Sequence, residues 1–182
     1  MQALFFLRLD PGVITSCCGA LFSAERAGVP SWLGGVSPFV SLAGFYLGVA
    51  ACLAAGLRYL RHGNGGYLFS IASVASFLLS AVALTSIISL YIYELPSHRC
   101  PFCILHGEYG YVGYLLYAGL LGGGVTGAGV GLLMPFRNVE SLRESVPPMQ
   151  GRLARATMNL YLLFAGVSTL EILFSGLRME LL

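Results

Sequence analysis

The chain has 182 residues, 57% of them hydrophobic and only 10% charged, with a mean hydropathy of +0.79. A soluble domain carries about 25% charged residues, so this chain cannot cover a water-facing surface and its class is integral membrane protein. All ten basic residues are arginine, and a net charge of +2 spread thinly along the chain gives no surface for nucleic acid.

The apolar runs are long and continuous and lack the alternation of barrel strands, so helices are the expected spanning element. Residues 1–33 read as a membrane-associated segment that does not span. The apolar start, 1–9, is too short to cross and is stopped by Asp10-Pro11-Gly12, so no cleavable signal peptide is expected. Phe5, Phe6 and Leu7 suit the interface, and a short helical candidate at 18–27 carries Glu25 and Arg26. Gly28-Val29-Pro30 breaks that piece, and Trp32 then stands where a headgroup-level aromatic belongs.

Four spans follow, at about 34–57, 67–90, 109–134 and 156–176. Each is about 20 residues or a little more, enough to cross a ~30 Å hydrocarbon core at about 1.5 Å per residue. The expected fold is all-α. It is a polytopic membrane protein, a four-transmembrane-helix bundle with an N-terminal extracytoplasmic interfacial segment, forming a single integral membrane domain over 1–182.

The arginines set the expected orientation. The connections after the first and third spans hold Arg58, Arg61, Arg137, Arg143, Arg152 and Arg155 against Glu140 and Glu144. The opposite side holds Arg8, Arg26, Arg99 and Arg178 against Asp10, Glu25, Glu94, Glu108 and Glu180. Positive-inside bias puts the first group in the cytoplasm. Segment 1–33 and loop 94–108 then share the extracytoplasmic face, as in a bacterial inner-membrane protein. The connection 135–155, with Pro147-Pro148, reads as a cytoplasmic connector with a short amphipathic piece.

Within the third span, Gly119, Gly123, Gly127 and Gly131 recur at every fourth position. Such a stripe lets a neighbouring backbone approach closely, either inside the chain or in a partner subunit. Tyr111, Tyr114 and Tyr117 fall at i, i+3 and i+6, as interfacial anchors, packing residues or a quinone-contacting face. Glu171 in the fourth span is either an intramembrane functional carboxylate or, if the helix ends near Gly176, a solvated one.

The chemistry-bearing residues are concentrated in Ser97-His98-Arg99-Cys100-Pro101-Phe102-Cys103-Ile104-Leu105-His106 and in Ser16-Cys17-Cys18-Gly19. The five cysteines divide most simply into two pairs, Cys17/Cys18 and Cys100/Cys103, and a single Cys52 that reads as a small packing residue inside a span. C-x-x-C at a helix start brings two sulfurs within one turn, where the dipole and free N–H groups favour a thiolate. Cys100-Pro101-Phe102-Cys103, just before the third span, has that placement, and Pro101 suits a first-turn position. Arg99, and His98 when protonated, would favour the Cys100 thiolate further, making it the attacking group in disulfide exchange. A structural disulfide, or a metal site completed by His98 and His106, stays open beside the redox reading. Adjacent Cys17 and Cys18 rarely pair with each other. One could exchange with an outside dithiol, or both could bind a soft metal ion.

The run Ser16-Cys17-Cys18-Gly19-Ala20-Leu21-Phe22-Ser23, then Gly28-Val29-Pro30 and Leu33-Gly34, followed two spans later by Cys100-Pro101-Phe102-Cys103, resembles the vitamin K epoxide reductase family over about residues 13–134. The resemblance implies a helical bundle around a quinone. Cys103 would face the quinone, Cys100 would exchange with the loop cysteines, Ser23 would match the family's loop serine, and electrons would come from a thioredoxin-like thiol protein. The sequence departs from the family pattern in having no span before Cys17 and a vicinal pair in place of two separated loop cysteines. A weaker resemblance, on Ser16-Cys17-Cys18, is to the mercuric-ion transport membrane proteins.

The expected function is that of a membrane thiol–disulfide oxidoreductase. Its catalytic residues would be Cys100, Cys103, Cys17 and Cys18, with Ser23, His98, Arg99 and His106 in support and Tyr111 and Tyr114 against the quinone. The alternatives are a soft-metal-binding membrane protein using Cys17, Cys18, Cys100, Cys103, His98 and His106, or a non-catalytic subunit of a membrane complex. Beyond lipid and the thiol partner, a helix-packing partner subunit is a further expected contact.

Overall fold

The computed structural model describes residues 38–93, 103–105 and 111–175. The described part is helical, and four of its helical stretches, Phe39–His62, Gly66–Ile88, Val112–Asn138 and Val146–Phe174, are long and apolar enough to cross a membrane. Segment 1–33 lies outside the described residues.

Helix α1 (Pro38–His62) runs five residues beyond the expected end at 57. Arg58 and Arg61 are exposed on its last turns, where a cation suits the helix C-terminus and a long side chain can reach the headgroups. Gly63 accepts the left-handed conformation (φ 68°) and donates its N–H to the Tyr59 carbonyl at 2.8 Å, closing the helix. Gly65 (φ 89°) then turns the chain into α2 (Gly66–Ala83). Two residues with positive φ within three positions are what make so short a reversal possible.

α2 continues through a π-helical segment, Leu84–Ile88, into the short helix α3 (Ser89–Tyr93). Such segments add a residue to a helix and interrupt its regular ladder. Here Thr85 donates to the carbonyls of Ala81 and Val82, both at 3.1 Å, and Leu84, Ile87 and Ile88 are all buried.

Helix α4 (Val112–Leu132) starts three residues after the expected 109, because Tyr111 has φ 58° and no helix passes through that conformation. Helix α5 (Val146–Phe174) starts ten residues earlier than the expected 156. The reason is at its start. Pro147 and Pro148 occupy first-turn positions, where no intrahelical N–H is required, so they begin the helix rather than break it. Connection 135–155 therefore reduces to two 3-10 turns, Pro135–Asn138 and Glu140–Leu142, followed by the first turns of α5.

α1 packs against α2 and α5, and α4 against the same two, so the four long helices form a closed square with α2 and α5 on one diagonal. The glycine stripe of α4 is used inside this square. A Cβ on Gly119 would meet the Leu160 carbonyl oxygen at 3.0 Å, and one on Gly123 would meet the Tyr161 ring at 3.1 Å. On Gly127 and Gly131 it would run into the hydroxyls of Ser73 and Ser70. The stripe is thus the seat of α5 on one side and α2 on the other, which is internal helix packing.

The bundle has two distinguishable ends. At one, Arg137 Nη1 donates to the Gly63 carbonyl at 3.0 Å, tying the α1–α2 turn to the first 3-10 turn after α4. All six arginines of the two connections lie at this arginine end. At the other, Ser175 Oγ donates to the Tyr91 carbonyl at 2.9 Å, and α3 packs on the 3-10 turn Cys103–Leu105. That is the cysteine end.

Candidate functional site

Cys103 begins the 3-10 turn Cys103–Leu105 at the cysteine end. Ile104, the next residue, is fully buried in the hydrophobic core, and the turn packs against both α3 and the start of α4. Gly113 makes this seat possible. A Cβ there would stand 2.7 Å from the Ile104 carbonyl oxygen and 2.8 Å from its carbon, so only glycine lets the turn lie against α4. The cysteine backbone is therefore fixed to the bundle through a buried neighbour and a backbone-on-backbone contact.

The sequence places the C-x-x-C motif just before the third span. The left-handed Tyr111 separates α4 from the Cys103 turn, so Cys103 sits on a short turn of its own. Cys17, Cys18, Ser23, His98, Arg99, Cys100 and His106 lie outside the described residues. Among the described residues no three His, Cys, Asp or Glu side chains gather as a metal site.

Tyr111 and Tyr114 do lie side by side, with ring centroids 6.0 Å apart, and are 60% and 59% exposed. Any molecule they touch lies on the outside of the bundle. Tyr117, one turn further, packs against the core instead. Glu171 falls in the last turn of α5, which ends at Phe174, and is half-buried. That places it at the cysteine end of the helix rather than at mid-span.

A second set of polar groups fills the bundle axis. Tyr161 of α5 donates its hydroxyl to the Ser73 carbonyl of α2 at 2.8 Å, which joins the diagonal helices through the centre. Ser73 Oγ donates to the Gly123 carbonyl of α4 at 3.3 Å, and Ser76 Oγ to the Gly48 carbonyl of α1 at 2.5 Å. Cys52, the cysteine read as packing, is fully buried and its thiol lies beside the Ser73 and Ser76 hydroxyls. Thr126 and Thr157 share a hydrogen bond of 2.8 Å between α4 and α5.

Nearer the arginine end, Gln150 is fully buried. Its amide donates to the Val130 carbonyl at 3.0 Å, and its oxygen accepts from Tyr59 at 3.2 Å. One side chain thereby joins α5, α4 and α1. Sequence reasoning missed this axis. Its signal was present as Ser73, Ser76 and Ser80 at helical spacing in the second span, a polar face in an otherwise apolar run.

The described site is a cysteine-bearing turn seated at the mouth of a bundle whose axis is lined with hydroxyls. Comparison with protein-family models, with curated proteins and with solved structures finds no match to this chain.

Proposed function

We propose that the chain is a membrane thiol–disulfide oxidoreductase of vitamin K epoxide reductase type, working at its cysteine end. The observation that carries this reading is the attachment of Cys103. A redox cysteine must be presented at a fixed height on its scaffold. The burial of Ile104 and the close contact at Gly113 do this for the second cysteine of the C-x-x-C motif.

In this reading one cysteine of the Cys17/Cys18 pair attacks a Cys100–Cys103 disulfide, forming a mixed disulfide with Cys100 and freeing the Cys103 thiol. A thioredoxin-like partner dithiol then reduces that mixed disulfide in two exchange steps, supplying two electrons and leaving as its own disulfide, so that the loop thiol and Cys100 are both restored. The resulting Cys100/Cys103 dithiol then gives two electrons and two protons to a quinone. The products are a quinol and the re-formed Cys100–Cys103 disulfide, so the cycle balances. Tyr111 and Tyr114, exposed on the flank of the bundle at the same end, are the groups a quinone arriving from the lipid would meet. The protein lies in a bacterial inner membrane with the arginine end in the cytoplasm and both cysteine pairs outside, following the positive-inside bias. The separation of the arginine and cysteine ends along the bundle supports that arrangement.

The test is quinone reduction by the purified full chain in lipid, with a reduced dithiol protein as electron donor and each cysteine's redox state mapped by alkylation and mass spectrometry. Cys103→Ser is expected to abolish quinone reduction while the protein remains folded. Unchanged turnover in that variant refutes the assignment. Four reduced cysteines with stoichiometric bound metal would replace it with the soft-metal reading. A disulfide indifferent to quinone and mild reductant would replace it with a structural role.

A further inference from the structure

The buried polar side chains of the bundle fall into a bonded and an unbonded set, and Ser89, near the cysteine end, belongs to the first through the Thr85 carbonyl at 3.4 Å. Toward the arginine end, Gln150, Thr157, Tyr161, Ser73 and Ser76 are each hydrogen-bonded. In the cysteine-end half, Ser41, Ser80 and Ser168 are 6%, 0% and 0% exposed, and among the described residues their hydroxyls have no hydrogen-bond partner. They come from three different helices, α1, α2 and α5.

Their level follows from the contacts below them. Ser73 meets Tyr161 across the diagonal. Ser80 and Ser168 each stand seven residues further along those two helices, which run in the same direction, about 10.5 Å nearer the cysteine end. α1 runs the other way, and its Gly48 is bonded to Ser76. Gly44 is therefore level with Ser80, and Ser41 lies within one turn of it.

An aromatic pair adjoins them. Phe45 follows Gly44 and so stands at the level of Ser80, one turn inward of Ser41, and Phe164 is one turn inward of Ser168. Both are fully buried, with ring centroids 5.6 Å apart in an edge-to-face pair at 79°.

A helical hydroxyl has an easy partner in the carbonyl four residues back, and Thr85, Thr126, Thr157 and Thr169 all take it. Ser80 and Ser168 have the same option, toward Ser76 and Phe164, and do not use it. Three buried hydroxyls without partners within one turn of a common level call for a polar guest, because an unpaired buried hydroxyl is destabilising. Water is small enough to fit beside the fully buried Phe45 and Phe164 and can donate to or accept from each hydroxyl.

We propose that Ser41, Ser80 and Ser168 form a hydration layer, holding ordered water inside the cysteine-end half of the bundle against the Phe45–Phe164 pair. Such a layer brings exchangeable protons into the bundle from one end and stops them at Phe164. The bundle is then wet on one side of its midplane and dry on the other.

The sign of a stability change tests this. In the full chain in lipid nanodiscs, Ser80→Ala and Ser168→Ala each remove one partner of the water, so the thermal midpoint should fall. The double variant should lose less than the sum of the two, because both serines serve the same water. Were the hydroxyls unhydrated, removing them would relieve an unpaired polar group and raise the midpoint. A rise, or no change, overturns the proposal. Radiolytic hydroxyl labelling, which marks side chains beside bound water, gives a second readout. Phe164 should be modified well above Phe69, an equally buried phenylalanine nearer the arginine end. Equal protection of the two overturns it as well.

Discussion

Replacing Gly113 by alanine tests how the cysteine turn is held. The new Cβ would sit 2.7 Å from the Ile104 carbonyl oxygen, and the turn must retreat by about 0.7 Å to reach the 3.4 Å at which ordinary contact begins. The obstacle is backbone, so no side-chain rotation relieves it. Overpacking of this kind costs about 1–3 kcal/mol, against which alanine returns about 0.8–1.0 kcal/mol of helix propensity.

The control is Gly151→Ala in the same kind of secondary structure. Nothing lies within 4 Å of a Cβ there, so that variant should gain about 0.4–1 kcal/mol. The assay is equilibrium unfolding of the two purified variants in matched detergent, with alkylation of Cys103 followed in parallel. Gly113→Ala should be the less stable of the pair by about 1–3 kcal/mol, with Cys103 alkylated faster than in the parent chain as its turn lifts. Equal stability of the two variants would refute the idea that the turn is seated by this contact.

Two further variants probe the axis. Gln150→Leu fits the space but strands the Tyr59 hydroxyl and the Val130 carbonyl at the arginine end, so it should lose about 1–3 kcal/mol in detergent unfolding. A neutral Gln150→Leu would mean that water replaces both bonds. Tyr161→Phe removes the bond that joins α2 to α5 through the centre. Its cost should be about 0.6–2 kcal/mol, the range for hydrogen bonds between membrane helices, measured by the same unfolding curve. A loss well above that range would show that Ser73 and Cys52 reorganise with it.

The number of spans was legible because hydropathy over about 20 residues is a strong signal that survives any packing. The second and third spans were expected within a few residues of where they lie. The start of α5 was not. Pro147-Pro148 reads as a break when proline is weighed as a helix breaker, and as a helix start only when its first-turn tolerance is recognised. Gln150 was hidden with it, since a glutamine in a supposed connector carries no expectation of burial. The left-handed Tyr111 has no sequence signature, because tyrosine rarely adopts that conformation. The glycine stripe was visible as a surface, but which neighbour it served depended on the tertiary arrangement. The hydroxyl axis was within reach of pattern reading. It was overlooked because serine in a long apolar run is easily counted as small rather than as polar.

The π-helical segment in the second span has a consequence for register. An extra residue in a helix turns everything beyond it by about 100° relative to an uninterrupted α-helix. The stretch Ser89–Tyr93, which meets the Cys103 turn, therefore presents a face that the rest of its span does not predict. Deleting one residue between 84 and 88 would restore the regular ladder and leave the lower bundle unaltered. It would also swing Tyr91 away from the Ser175 hydroxyl that it accepts from. One residue of chain length thus acts as a set-screw for the mouth of the bundle, adjustable without retuning the helices below.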